Sequence, residues 1–210
     1  EYSVTTQPQE VYETCILAAS RIRLLLAEGP NSGDATSGYS SIDPAPPLEH
    51  PMASVPDLCA VLCDASKDMF SRYRAMFALR DRGGQEAVLG LCDGMHAEKR
   101  SALFRHEIAF VLGQMQDPVS IPTLAAFLKD SSEHEMVRHE SAEALGSIAT
   151  PEAQDVLTRF RSDANRIVRE SVLVAQDIAD YNCDCSELHY TDVARSTLKT
   201  GDARTPVVPP

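Results

Sequence analysis

The chain has 210 residues, 31 acidic against 19 basic, for a net charge of −12. That balance excludes a nucleic-acid binder, whose phosphate contacts need a basic face. No apolar run reaches the ~18 residues of a transmembrane helix, so no membrane role is expected.

At the N-terminal end, residues 8–27 read as one helix, ended by Gly29-Pro30. Residues 30–56 follow as a linker that holds six of the chain's 13 prolines and shows no periodicity. His50 falls in it and is read as solvated. The chain opens at Glu1 without an initiating methionine, which is read as the mark of a fragment or a processed product.

From residue 57 the sequence repeats. Arg105-His106-Glu107-Ile108-Ala109-Phe110-Val111-Leu112-Gly113 recurs 33 residues later as Arg138-His139-Glu140-Ser141-Ala142-Glu143-Ala144-Leu145-Gly146. Arg72-Tyr73-Arg74-Ala75-Met76-Phe77-Ala78-Leu79 precedes by another 33, and Arg169-Glu170-Ser171-Val172-Leu173-Val174-Ala175 follows by 31. Ile108, Val111, Leu112 and Met115 make one apolar helical face. Ile121, Leu124, Ala125 and Leu128, and later Ala153, Val156, Leu157 and Phe160, make the faces of intervening helices. Asp117-Pro118 and Thr150-Pro151 each supply a cap followed by a first-turn proline. Four such helix pairs predict an all-α protein, an α-solenoid of HEAT-like repeats over residues 57–182. Residues 183–210 are read as an extension with a disordered tail.

Val11-Tyr12-Glu13-Thr14-Cys15-Ile16-Leu17-Ala18 matches Val168-Arg169-Glu170-Ser171-Val172-Leu173-Val174-Ala175 in character. Residues 1–29 are therefore expected to be the last helix of an earlier half-array that this chain lacks.

Four of the six cysteines, at 15, 59, 63 and 92, sit among apolar helical positions, where a free thiol packs as a small core residue. A reducing, cytoplasmic setting is expected. Cys183, Cys185 and His189 lack the fourth ligand and the spacing of a zinc site and are read as a helix end.

One pair carries chemistry. His106-Glu107 and His139-Glu140 occupy the same slot in adjacent copies, while the flanking copies have Tyr73-Arg74 and Glu170-Ser171 there. At 100° per residue His106 lies about 160° from Ile108, so it faces away from the core of its own repeat. Helices ~8–10 Å apart let two such imidazoles lean toward one metal. Two imidazoles and a carboxylate with open positions suit iron(II) and oxygen chemistry, with zinc second. A purely structural need would be met in every copy. The arginine at 72, 105, 138 and 169 is in every copy and is read as a structural ladder. His134 is out of register with the repeat, at the turn before a helix, and His96 is assigned to an inter-helix turn; both are read as solvated.

The runs Ser101-Ala102-Leu103-Phe104-Arg105-His106-Glu107 and Met136-Val137-Arg138-His139-Glu140, with Asp43-Pro44-Ala45-Pro46-Pro47 in the linker, resemble the deoxyhypusine hydroxylase family from about Val11 to about Tyr181. The resemblance implies a HEAT-repeat monooxygenase of two halves, each with two His-Glu pairs. Its two irons and O2 hydroxylate the deoxyhypusine side chain of eukaryotic translation initiation factor 5A. Carried over by motif position, His106, His139 and Glu140 would bind iron, and Glu107 would face the substrate's amines. The acidic balance suits a basic target surface. This chain has two pairs where the family has four. The resemblance therefore implies the C-terminal half, which needs the missing N-terminal half or a second copy to complete the site. Two other readings are a metal-free HEAT scaffold that binds protein on its concave face, and a relative of the HEAT-like chromophore lyases.

Overall fold

The structure, a computed structural model, describes residues 8–28, 38–39, 41–48 and 53–183. His50, Cys185, His189 and the C-terminal tail lie outside the described residues. Nine α-helices and no strand occur among those described. In chain order they are α1 (Gln9–Glu28), α2 (Val55–Cys63), α3 (Met69–Arg82), α4 (Gln85–Ala97), α5 (Ala102–Met115), α6 (Ile121–Lys129), α7 (Glu135–Ile148), α8 (Pro151–Thr158) and α9 (Arg166–Cys183).

Local chemistry sets the helix starts. Ser54 and Asp57 form a reciprocal capping box on α2, while Asp68, Ser101 and Thr150 cap α3, α5 and α8 through their side chains. Asp117-Pro118 opens a 3-10 turn over Pro118–Ser120 rather than α6 itself, which begins at Ile121. A proline at the first turn has no N–H to leave unpaired there. His134 caps α7: its ring accepts from the Met136 N–H at 3.2 Å.

The helices pair as α2–α3, α4–α5, α6–α7 and α8–α9 in two layers, with α3, α5, α7 and α9 packed in series as the inner one. This is the predicted α-solenoid. Between the layers Ile108, Val111, Leu112, Leu124, Leu128, Leu145 and Leu157 are fully buried. At ~25 cal/mol per Å2 of apolar surface, each such side chain contributes about 1.5–3 kcal/mol. Helix α1 lies across α3 and α5.

The repeated arginines connect one repeat to the next. Arg72 on α3 pairs with Glu98, Arg105 on α5 with Glu133, and Arg138 on α7 with Asp163. Each acid sits in the turn that leads into the following inner helix. Arg72 and Arg138 also donate to Leu62 O and Leu128 O, at the ends of the outer helices of their own pairs. Arg169 donates instead to the carbonyls of Asp163 and Ala164.

Helix spacing within the inner layer varies with one side chain. At Gly113 a Cβ would stand 2.9 Å from Ala144 Cα, and at Gly146 it would stand 2.7 Å from Ala175 Cα. These glycines let α5, α7 and α9 approach backbone to backbone. The same slot in α3 is Arg80, whose buried guanidinium binds Asp43 at 2.6 and 2.9 Å and Gln114 at 3.0 Å. Linker residues 41–48 are thereby strapped onto α3 and α5. Arg74 helps by donating to the carbonyls of Pro46 and Pro47, and its own carbonyl accepts from the Leu48 N–H.

Two local expectations change. Cys15 is exposed, not in the core, because α1 has the array on one side only; Cys92 is buried and Cys59 and Cys63 are half-buried. His96 belongs to the last turn of α4 rather than to a connection, and its ring lies 5.1 Å from that of Phe127. Among the described residues no helix is long and apolar enough to cross a membrane.

Candidate metal centre

The two His-Glu pairs lie in the second turns of α5 and α7. Both helix starts are held in place. Ser101, the cap of α5, donates to Glu13 of α1 at 2.7 Å, and Arg105 grips Glu133 just ahead of α7 at 2.7 and 2.8 Å. His106, next to Arg105, and His139, next to Arg138 with its own grip on Asp163, are therefore presented from a fixed backbone.

His106 and His139 face each other across the α5–α7 contact, with ring centroids 5.4 Å apart. Glu140 points into the same space. Its Oε2 is 3.1 Å from His106 Nε2 and 3.7 Å from His139 Nε2. Among the described residues these three make the one cluster of histidine, cysteine and acidic groups whose ligand atoms all lie within 4.8 Å. Donors bound side by side to one ion at ~2.1 Å stand roughly 3.0–3.4 Å apart. The two carboxylate–imidazole separations lie within a few tenths of an ångström of that range, and all three ligand atoms lie within 4.8 Å of one another. The carboxylate is buried and the imidazoles are partly open, so the far side of the cluster is accessible. Two imidazoles, one carboxylate and open positions are a donor set that iron(II) takes.

Glu107 is not part of that cluster. It lies on α5 beside His106, half-buried. Burial pushes its carboxyl up to about 7, and the negative charges of Glu140 and Asp43 add to the rise, while His106 and Arg80 oppose it. It is an acceptor held close to the ion site and short of positive partners.

The outer nitrogens of the two imidazoles differ. His139 Nδ1 meets Glu143 Oε1 at 3.2 Å and Ser171 Oγ at 3.3 Å. His106 Nδ1 is buried with no hydrogen-bond partner. Sequence reasoning missed Glu143 and Ser171. The signal for Glu143 was its position four residues after His139, on the same helical face. For Ser171 it was the slot itself, where the last copy has lost its glutamate.

Three findings relate the chain to known proteins. Residues 88–175 match the model of a family described as HEAT repeats. The chain is 56% identical over 172 residues to a protein named deoxyhypusine hydroxylase from Gallus gallus, covering 82% of this chain and 56% of that protein. A second of that name, from Danio rerio, is 49% identical over 185 residues, covering 87% and 59%. The solved structure of human deoxyhypusine hydroxylase in complex with glycerol superposes with a TM-score of 0.78 at 47% identity, over 84% of this chain and 59% of that one. The chain thus spans little more than half the length of the relatives it matches.

Proposed function

We propose that this chain, similar in sequence and fold to deoxyhypusine hydroxylases over more than half of their length, belongs with them and carries one iron-binding set of a deoxyhypusine monooxygenase. His106, His139 and Glu140 would hold the ion; Glu107 would receive the substrate. The observation that carries this reading is the convergence of two imidazoles and a buried carboxylate at matched positions of two adjacent repeats. Bound iron(II) would supply activation of O2 for hydroxylation of a C–H bond.

The chain's own residues do the rest. Glu107 accepts hydrogen bonds from the cationic amines of a deoxyhypusine side chain, and a charged pair in a half-buried place is stronger than a neutral one. The net charge of −12 draws a basic protein surface toward the array. The protein substrate is the deoxyhypusine form of eukaryotic translation initiation factor 5A, met in the cytoplasm. A two-iron site needs a second His-Glu set, from a further N-terminal half-array or from a second copy of this chain. A metal-free scaffold gives no reason for the His-Glu pair to occur in only two of four equivalent slots, or for both pairs to share one opening.

Anaerobic titration with iron(II) tests the ligand set. The unsubstituted chain is expected to bind about one equivalent, and the His106→Ala, His139→Ala double variant none. Equal binding by both ends the metal reading. Hydroxylation of deoxyhypusine-bearing initiation factor 5A, with and without the complementary half-array, tests the reaction. No product from the iron-loaded, complemented chain ends the assignment of activity.

A further inference from the structure

His106 and His139 occupy one slot in two copies, so their surroundings can be compared position by position. Four residues on from His139 is Glu143, at 3.2 Å from its Nδ1. Four residues on from His106 is Phe110, which offers no acceptor. In the next inner helix, the slot that meets His106 is Glu140, and its carboxylate lies against Nε2. The same slot beyond His139 is Ser171, and its hydroxyl lies against Nδ1. His139 is thus held on the side away from the cluster by two groups from two helices. His106 Nδ1 is buried and has none.

A neutral imidazole carries one proton, and the nitrogen without it presents the lone pair. A carboxylate accepts and cannot donate, so Glu143 draws that proton to Nδ1. Nε2 is then the lone-pair nitrogen, and it is the one turned toward Glu140.

We propose that Glu143 and Ser171 are positioning residues that keep His139 in the Nδ1–H tautomer with Nε2 aimed at the ion site, whereas His106 has no such support at its outer nitrogen. The inference rests on the metal reading above for its purpose, and it is deeper by one layer: it assigns the unequal support of the two histidines. His139 is the pre-organised ligand, and His106 completes the site when the ion arrives. Carboxylate partners of this kind are typically worth 10–100-fold in metal affinity.

Two measurements on the full chain test this. The first is the imidazole 15N shifts of the metal-free chain above about pH 8, where an unperturbed histidine is neutral. His139 is identified by its loss in His139→Ala. The expected result is an Nδ1–H tautomer for His139 that is lost in Glu143→Ala and kept in Glu143→Gln, because the amide carbonyl still accepts. An Nε2–H tautomer in the unsubstituted chain overturns the proposal. The second is affinity for cobalt(II), read by its visible spectrum, and for iron(II) without oxygen. Glu143→Ala is expected to weaken both by 10–100-fold with an unchanged melting curve, Glu143→Gln by far less, and Ser171→Ala by a few-fold. Equal affinity in Glu143→Ala and the unsubstituted chain overturns the proposal and leaves the site standing. Metal binding no better than that of the double-histidine variant overturns the site, while the tautomer still decides whether Glu143 positions His139.

Discussion

Gly113 of α5 lies against Ala144 of α7 so closely that an added Cβ would stand 2.9 Å from the alanine Cα. Seven residues before Gly113 and five before Ala144 on the same two helices are His106 and His139, with rings 5.4 Å apart. The close approach at one end therefore controls the reach of the imidazoles at the other. Gly113→Ala has no flexible side chain to displace and must push the helices apart. The expected cost is about 1–3 kcal/mol, as for other overpacked cores. Iron(II) affinity is expected to fall more than stability does, because two imidazoles that meet one carboxylate at 3.1 and 3.7 Å from separate helices tolerate little widening. Urea unfolding and metal titration on the same variant check both halves of the statement.

Helices α5 and α7 end on residues in the left-handed region, Gln116 at φ 52° and Ala149 at φ 57°. For a residue with a Cβ this costs roughly 1–2 kcal/mol. Ala149→Gly is expected to stabilise the chain by up to about 1 kcal/mol after the added freedom of the unfolded state is subtracted. Gln116→Gly is expected to gain nothing, because the Gln116 amide donates to the Ser147 carbonyl at 2.8 Å and ties the two helix ends together. Thermal unfolding of the two variants should rank them in that order.

Arg80 is a buried cation with Asp43 as its bidentate partner. Removing one member of a buried pair costs about 3–5 kcal/mol when the other charge is left uncompensated, but here Asp81 still meets Arg80 Nε at 2.9 Å. Asp43→Ala is expected to cost less than that range and to release residues 41–48 from α3. The Asp43→Ala, Arg80→Met double variant should be less destabilised than the sum of the singles, as expected for groups in contact. Denaturant midpoints for the four chains complete the cycle, and protease cleavage near residue 45 should rise in Asp43→Ala.

The arginine clamps make stability fall in acid. Burial alone would raise Glu98, but the N–H groups of Ser101 and Arg100 and the Arg72 guanidinium outweigh it and hold the carboxyl below its usual range. Asp163 is lowered chiefly by its hydrogen bonds with Arg138. A folded pKa below the unfolded one adds stability that is present above the unfolded value, ~4, and is lost as pH falls through the folded value. Glu98→Gln should therefore be less stable than the unsubstituted chain at pH 7. That gap should narrow steadily below about pH 4. A gap that does not change with pH would show that the carboxylate charge is not what stabilises the turn.

Glu107 and Glu140 are both next to a histidine, yet only Glu140 is in the cluster. Glu107→Gln is expected to keep iron(II) affinity within about two-fold and to weaken a cationic amine ligand by 10-fold or more, the scale of one charged hydrogen bond. Glu140→Gln should do the reverse. Titrations with metal, and then with a deoxyhypusine-bearing peptide, separate the two.

Much of this was written in the residues. The 33-residue recurrence, the apolar faces and the caps at Asp117 and Thr150 are local or periodic signals, and they determined an all-α solenoid and the two slots that carry His-Glu. Helical geometry alone also places His106 away from Ile108. Periodicity, however, says which side a residue faces and not how near its neighbour stands. The approach of α5 to α7 at Gly113, the wedge of Arg80 between α3 and α5, and the seat of the linker at Asp43 come from packing between segments distant in sequence. So does the difference between the two histidines. Their motifs are the same two letters, but one ring finds Glu143 and Ser171 behind it and the other has no hydrogen-bond partner there. A hydrogen bond depends on a few tenths of an ångström and on a second helix. Only the assembled inner layer supplies both.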